Sequence, residues 1–126
     1  MMPVVIKHTK GAGKRTVLVV DDEKDIVSLL EHFLHREFDV KTAHNGQEAL
    51  RIIADQEIDC VISDYMMPGM NGRELLDSIR ASGRTMKTVI HSATHPLDCP
   101  VDCDLRIDKP TEFSKIVRMI SDLLDP

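Results

Sequence analysis

The strongest constraint on the fold is an alternation of short runs rich in β-branched residues with longer segments that carry apolar residues at helical spacing. The first run, Thr16-Val-Leu-Val-Val20, is apolar on both faces, as strands inside a parallel sheet are. A segment with helical spacing follows from Ile26 to Leu34. Neighbouring parallel strands need such crossover helices between them. The pattern therefore predicts an α/β fold with a parallel sheet covered by helices on both faces.

The same alternation continues to the end of the chain, with one interruption. Further strands are predicted at residues 40–43, 58–63, 88–92 and 105–107. Helices with Ala49, Leu75 and Ile116 on their apolar faces follow the second, third and fifth strands. The stretch after the fourth strand contains Pro96 and Pro100, which interrupt a regular helix. We therefore expect residues 94–104 to lack a full helix.

Length and composition favour a single domain without membrane spans. A chain of 126 residues suits one core, and with 42% hydrophobic but only 3% aromatic residues that core must be mainly aliphatic. No apolar run approaches the roughly 20 residues that span a bilayer, and no secretory signal pattern is present. Three cysteines are an odd count and indicate no disulfide framework. We expect a cytoplasmic protein that does not bind membranes.

Charge is distributed unevenly along the chain. Residues 1–15 contain four basic and no acidic side chains, which leaves 12 basic against 21 acidic side chains in the remainder. We interpret residues 1–14 as a flexible basic tail and residues 15–126 as the folded domain. A nucleic-acid-binding body needs a basic face. We therefore expect no direct binding of nucleic acid by this domain.

Polar side chains cluster where the predicted strands end. In an open parallel α/β sheet, ligands bind outside the carboxyl ends of the strands. The residues at those ends are Asp21 and Asp22 after the first strand, Asp64 after the third, Ser92 on the fourth and Lys109 after the fifth. Any one of them has an ordinary structural explanation, such as capping a helix or forming a turn. Their joint placement on one rim favours a functional site.

The chemistry of this rim suits a divalent cation and a phosphoryl group. Three neighbouring carboxylates repel one another unless a cation neutralises them. Mg²⁺ prefers oxygen ligands, and Mn²⁺ is an alternative. Lys109 and Ser92 offer a positive charge and a hydroxyl to phosphoryl oxygens, and a carboxylate can act as a nucleophile.

The motifs at the strand ends resemble those of response-regulator receiver domains of two-component signalling. The resemblance covers residues 15–125 and rests on Val20-Asp21-Asp22-Glu23, Ile62-Ser63-Asp64-Tyr65-Met66-Met67-Pro68-Gly69-Met70-Asn71-Gly72, His91-Ser92-Ala93 and Asp108-Lys109-Pro110. It implies a flavodoxin-like (βα)5 sheet in the order 2-1-3-4-5, with the fourth helix missing or shortened here. It also implies a phosphoacceptor switch rather than an enzyme, although such domains assist their own phosphorylation and dephosphorylation.

The resemblance also implies a role for each residue of the rim. Asp64 would accept the phosphoryl group from a histidine kinase or a histidine phosphotransfer protein. The metal ligands would be Asp22 and Asp64 through their carboxylates and Met66 through its backbone carbonyl, with Asp21 holding a metal-bound water. Lys109 and Ser92 would bind the phosphoryl oxygens. The downstream target is not indicated by any residue.

One position departs from the family pattern. Receiver domains usually have Tyr or Phe three residues before the lysine, and here the residue is Arg106. Because a charged guanidinium is costly to bury, we expect Arg106 on the surface, in solvent or paired with Asp104 or Asp108. Together with the two prolines, this residue predicts an atypical output face.

Two other functions compete with the phosphoacceptor interpretation. A phosphatase with an aspartyl nucleophile, of the haloacid-dehalogenase type, would have Asp-x-Asp after the first strand, whereas this chain has adjacent Asp21 and Asp22. A degenerate receiver used only for docking would lack an acidic residue or the lysine, and this chain retains both.

Overall fold

The computed structural model describes residues 13–98 and 100–126, which form one five-stranded sheet with four helices. The strands are β1 (Arg15–Val20), β2 (Phe38–Ala43), β3 (Cys60–Ser63), β4 (Lys87–Ser92) and β5 (Leu105–Asp108). The helices are α1 (Lys24–Leu34), α2 (Gly46–Asp55), α3 (Gly72–Ala81) and α4 (Phe113–Leu124). All strand pairs are parallel and their order is β2-β1-β3-β4-β5. The predicted flavodoxin-like architecture is confirmed.

The register of the strands places their carboxyl ends at one edge of the sheet. Val20 of β1 pairs with Ser63 of β3, and Ser92 of β4 pairs with Asp108 of β5. The residues that directly follow these strands therefore emerge side by side. This alignment brings together residues that are distant in sequence.

The sheet separates two apolar layers, because successive residues of a strand point to opposite faces. Leu18 and Val20 of β1 pack on the face that α2 and α3 cover, together with Leu75. Val17 and Val19 pack on the face that α1 and α4 cover. Both faces of β1 are thus buried, as its continuous apolar run predicts, and this holds the strand ends in fixed positions.

Side-chain caps begin the two helices on the first of these faces. The Glu48 amide of α2 donates to Oδ1 of Asn45 over 2.8 Å, and the Glu48 carboxylate accepts from the His44 amide. At α3, Asn71 and Glu74 form a reciprocal capping box, with N–H···O distances of 2.9 and 3.0 Å. Such caps satisfy amides that have no partner inside the helix.

The connection between β4 and β5 contains no helix in its described residues, 93–98 and 100–104, as the two prolines predict. Side chains from neighbouring elements bind its backbone instead. Arg80 of α3 donates to the carbonyl of Asp102, and Arg106 of β5 donates to the carbonyl of Thr94. The Asp104 carboxylate accepts from the amide and the hydroxyl of Thr88, over 2.8 and 3.1 Å.

The expectation that the Arg106 guanidinium lies in solvent was wrong. The side chain is half-buried, and its Nη2 donates to the carbonyl oxygen of Thr94 over 2.6 Å. A guanidinium tolerates partial burial when a protein acceptor replaces water. The connection between β4 and β5 supplies that acceptor.

Two further expectations from the sequence concern the basic tail and membrane spans. The predicted basic tail lies outside the described residues apart from Gly13 and Lys14, and the Lys14 ammonium donates to the carbonyl of His35 over 3.2 Å. Within residues 13–98 and 100–126, no helix has the length and apolar content needed to cross a membrane.

Candidate functional site

Three carboxylates meet at the carboxyl edge of the sheet. Asp21 and Asp22 follow β1, Asp64 follows β3, and each contributes an oxygen to a group in which all distances are within 4.8 Å. Asp21 and Asp64 are buried, with 1% and 8% of their surface exposed, whereas Asp22 is exposed. The structure thus brings together the three acidic residues that the strand ends predict.

Lys109 reaches into this group from the end of β5. Its Nζ lies 3.0 Å from Oδ2 of Asp21 and 3.3 Å from Oδ2 of Asp64. The exposed Glu23 carboxylate is 3.6 Å away on the solvent side. One ammonium therefore links the ends of β1, β3 and β5. Sequence reasoning did not assign Glu23 a role, because its pairing depends on where the Lys109 side chain lies.

The carboxylate of Asp64 is held at both oxygens. Its Oδ1 accepts from the Tyr65 amide over 2.7 Å, and its Oδ2 faces Lys109. The Asp64 amide donates to the carbonyl of Val20, which fixes the backbone against β1. These contacts orient the carboxylate toward the cluster.

Opposing effects act on the pKa values of the ionisable groups in this cluster. Burial raises the pKa of the Asp64 carboxyl, and the nearby Asp21 charge raises it further, against the lowering effects of Lys109 and the Tyr65 amide. Burial would lower the pKa of the Lys109 ammonium, but the hydrogen bond and charge of Asp21 and the charge of Asp64 outweigh it, and that pKa is raised. Lys109 therefore stays protonated, and the carboxylates still exceed it in charge.

The loop after Asp64 depends on a close backbone contact at Gly72. The Gly72 amide donates to the carbonyl of Tyr65 over 2.7 Å. A Cβ at position 72 would lie 2.6 Å from the carbonyl oxygen of Asp64 and 2.9 Å from Cα of Tyr65. Both of these are backbone atoms, so a larger residue cannot be accommodated by moving a side chain. The glycine lets α3 begin directly against the backbone of Asp64 and Tyr65.

Ser92 lies at the end of β4 with 1% of its surface exposed. Its Oγ accepts from the Thr94 amide over 3.1 Å, and its carbonyl accepts from the Lys109 amide over 3.0 Å. The structure therefore places Ser92 next to the lysine backbone, with its hydroxyl engaged by the following turn.

Met66 follows Asp64 by two residues, and its side chain is 60% exposed at the rim. Its predicted role concerns only the backbone carbonyl and stays a prediction.

The donor set fits a hard divalent cation. It consists of carboxylate oxygens from three aspartates that lie close enough to share one ion. Burial, and then the charge of Asp21, raise the pKa of Asp64, and a divalent ion would offset both by favouring the charged carboxylate. Oxygen-only donors favour Mg²⁺ or Mn²⁺ over thiophilic metals.

Comparisons with known proteins agree with this geometry. The family model for the response regulator receiver domain matches residues 17–121. The transcriptional regulatory protein CpxR of Escherichia coli is 33% identical over 113 residues, which cover 86% of this chain and 48% of CpxR. A relative from Haloferax volcanii, also 33% identical, is matched over 20% of its length. The chain thus spans half or less of these curated relatives.

Solved structures of receiver domains superpose closely on this chain. The chemotaxis response regulator CheY4 of Vibrio cholerae has a TM-score of 0.80 at 26% identity, covering 88% of this chain and 99% of CheY4. A receiver domain protein from Clostridium thermocellum has a TM-score of 0.79 at 26% identity, covering 88% and 94%. With the family model matching most of the chain and the acidic rim in place, the protein belongs to the response regulator receiver domain family.

Proposed function

We propose that the protein is a phosphoacceptor switch in which Asp64 receives a phosphoryl group from a histidine kinase or a histidine phosphotransfer protein. The observation that carries this proposal is the Asp64 carboxylate, which lies beside Asp21 and Asp22 and within 3.3 Å of the Lys109 ammonium. This arrangement places a nucleophile, a set of cation ligands and a positive charge that can pair with phosphoryl oxygens next to one another.

The transfer step balances as an exchange of one bond for another. A carboxylate oxygen of Asp64 attacks the phosphorus of a phosphohistidine whose other ring nitrogen carries a proton. The P–N bond breaks, its electron pair goes to the nitrogen, and neutral imidazole leaves. The product is an acyl phosphate on Asp64. Hydrolysis by water later restores the carboxylate and releases phosphate.

Lys109 and Ser92 act on the phosphoryl oxygens in this proposal. The ammonium already contacts Asp64 and Asp21, so a short movement lets it pair with a phosphoryl group attached to Asp64. The Ser92 hydroxyl is a hydrogen-bond donor at the neighbouring strand end. Both groups offset negative charge as it accumulates.

Mg²⁺, or Mn²⁺ in its place, would be held by the carboxylates of Asp22 and Asp64 and the backbone carbonyl of Met66, with Asp21 acting through a bound water. When bound, the ion supplies charge neutralisation for the acceptor and for the incoming phosphoryl group. Asp22→Ala should therefore weaken Mg²⁺ binding more than Asp21→Ala does, since a direct ligand contributes more than one acting through water. A metal titration that gives the reverse order would exchange the two roles.

We propose that the effect of phosphorylation is passed on through the connection between β4 and β5, rather than through a helix there or an aromatic side chain at position 106. The connection between β4 and β5 has no helix in its described residues, and Arg106 replaces the usual aromatic residue.

Mass spectrometry after incubation with acetyl phosphate and Mg²⁺ tests the proposal. The wild type should gain one phosphoryl group, and peptide mapping should place it on Asp64. Asp64→Asn should gain none, while the matched control Asp39→Asn, an exposed aspartate on β2, should react like the wild type. Equal labelling of wild type and Asp64→Asn would refute the assignment.

A further inference from the structure

The residue that follows Ser92 by two positions is held on both sides. The Thr94 amide donates to Oγ of Ser92 over 3.1 Å, and the Thr94 carbonyl accepts from Nη2 of Arg106 over 2.6 Å. The second bond crosses from β5 to the connection after β4. Two hydrogen bonds in series thus join the Ser92 hydroxyl to the Arg106 guanidinium.

The two ends of this chain of contacts differ in rigidity. Arg106 belongs to β5, where it pairs in register with Ile90, and its side chain is half-buried. Thr94 lies in a connection whose described residues form no helix. The strand is therefore the fixed side, and the charged donor restrains the loop.

The backbone of Ser92 is itself fixed, so only its hydroxyl is free to change partners. Its carbonyl accepts from the Lys109 amide over 3.0 Å, and Ser92 pairs in register with Asp108. A hydroxyl can donate one hydrogen bond while it accepts another, so the Ser92 hydroxyl can turn toward a phosphoryl group on Asp64 either by leaving the Thr94 amide or by drawing Thr94 with it. Either change is harder when Thr94 is held firmly.

We infer that Arg106 is a positioning residue that restrains Thr94 and thereby keeps the Ser92 hydroxyl on the Thr94 amide. The inference rests on the proposed function, because the competing acceptor is the phosphoryl group on Asp64. Arg106 raises the cost of drawing Ser92 toward that group. The position that usually carries a mobile aromatic ring carries here a restraint on the hydroxyl.

The test compares Arg106→Ala with a control at the other end of the same connection. Arg80→Ala likewise removes a guanidinium that donates to a carbonyl of this loop, that of Asp102. The substitution leaves the hydrogen bond from Arg106 to Thr94 in place. Amide hydrogen exchange at Thr94 is measured without any phosphoryl mimic, and the affinity for beryllofluoride is measured with Mg²⁺. Arg106→Ala should speed Thr94 exchange and tighten beryllofluoride binding, each about fivefold to tenfold, the factor expected for one hydrogen bond.

Arg106→Lys is the second variant, because lysine can still donate to the Thr94 carbonyl and leaves a charge in place. It should fall between wild type and Arg106→Ala in both measurements. Arg80→Ala should leave both near the wild-type values. An equal effect of Arg80→Ala on beryllofluoride affinity would mean that general loosening of the loop, not positioning of Ser92, is responsible.

A Ser92→Ala background separates positioning from a purely structural role. Without the hydroxyl, Arg106→Ala should no longer change the affinity for beryllofluoride. Persistence of the effect in that background, or unchanged Thr94 exchange in Arg106→Ala, overturns the inference. If wild type fails to bind beryllofluoride, the proposed function fails, while the Thr94 exchange still decides whether Arg106 restrains the loop.

Discussion

The connections that follow β3 and β4 differ in which groups form hydrogen bonds with their backbone amides and carbonyls. After β3, the chain turns at Gly72 into α3, and a reciprocal cap by Asn71 and Glu74 closes the first turn. After β4, the described residues form no helix, and side chains of Arg80 and Arg106 reach across to loop carbonyls. A helix satisfies its own backbone, whereas a loop without one depends on individual side chains from other elements. Single substitutions can therefore alter the second connection selectively.

The largest loss of stability is expected at Gly72, in the connection after β3, because backbone atoms leave no room for a Cβ there. Gly72→Ala should lower the free energy of unfolding by about 3 kcal/mol, because its Cβ would meet backbone of Asp64 and Tyr65 within 3 Å. It should also slow phosphorylation by acetyl phosphate, since Asp64 must shift. Urea denaturation and mass spectrometry measure the two effects.

The control is Gly83→Ala. This glycine has a φ of +81° but open space around the added Cβ, so the cost should be about 1 kcal/mol of backbone strain, with phosphorylation unchanged. Equal loss of stability in the two variants would show that the contact at Gly72 is not decisive.

A second effect depends on pH and concerns β4 itself. His91 is buried, and burial first, then the Lys109 charge, lowers its pKa to about 4, while Asp21 acts in the opposite direction. The folded-state pKa lies below that of the unfolded chain, about 6.5, so this stability is present above pH 6.5 and is lost as pH falls toward 4. Between pH 7.5 and pH 5 the loss due to His91 should be about 2 kcal/mol.

Urea denaturation of wild type and His91→Leu at both pH values isolates this contribution. The leucine variant should lose less stability between pH 7.5 and pH 5 than wild type does. Identical pH dependence in the two proteins would mean that His91 does not titrate differently on folding.

A smaller loss of stability is expected at Asp104, whose carboxylate joins the connection after β4 to β4 itself. Asp104→Ala removes the acceptor of the buried Thr88 amide and hydroxyl and should cost about 1.5 kcal/mol in urea denaturation. Asp102→Ala changes an exposed side chain of the same loop and should cost less than about 0.5 kcal/mol. Similar costs for both would show that the carboxylate of Asp104 is not the tie.

The smallest effect is expected at the helix cap of the first connection. Asn71→Ala removes the side-chain acceptor of the Glu74 amide and should lower the free energy of unfolding by about 1 kcal/mol. Asn71→Ser keeps an acceptor and should recover most of the loss. Failure of serine to recover it would assign the effect to something other than capping.

The fold was predictable because its signals are local and repeated. The run from Thr16 to Val20 is apolar at every position after the first, and its burial on both faces follows from that. Pro96 and Pro100 exclude a regular helix by their own covalent structure. Asp21 and Asp64 were placed correctly because they directly follow predicted strands.

Contacts that depend on side-chain orientation could not be predicted in the same way. The ion pair of Glu23 with Lys109 and the bond of Arg106 to Thr94 join residues from different elements. Burial of Arg106 looked unfavourable because the acceptor that offsets it is a loop carbonyl, which no sequence pattern marks. The buried position of His91 was likewise not predicted, since β4 also contains Lys87, Thr88 and Ser92, and its sequence pattern does not mark one polar residue as buried.

The ion pairs of Lys109 have a consequence for the order in which the site comes into being. The lysine lies 88 residues from Asp21 and 45 from Asp64 along the chain, so no local fragment contains the complete centre. Contacts of such long range form late, because closing the intervening loops costs entropy before any contact compensates for it. During synthesis, the aspartates emerge well before the last strand delivers their partner. A nascent chain thus carries Asp64 without its counter-charge, and under the proposed function the site is complete only once β5 has joined the sheet.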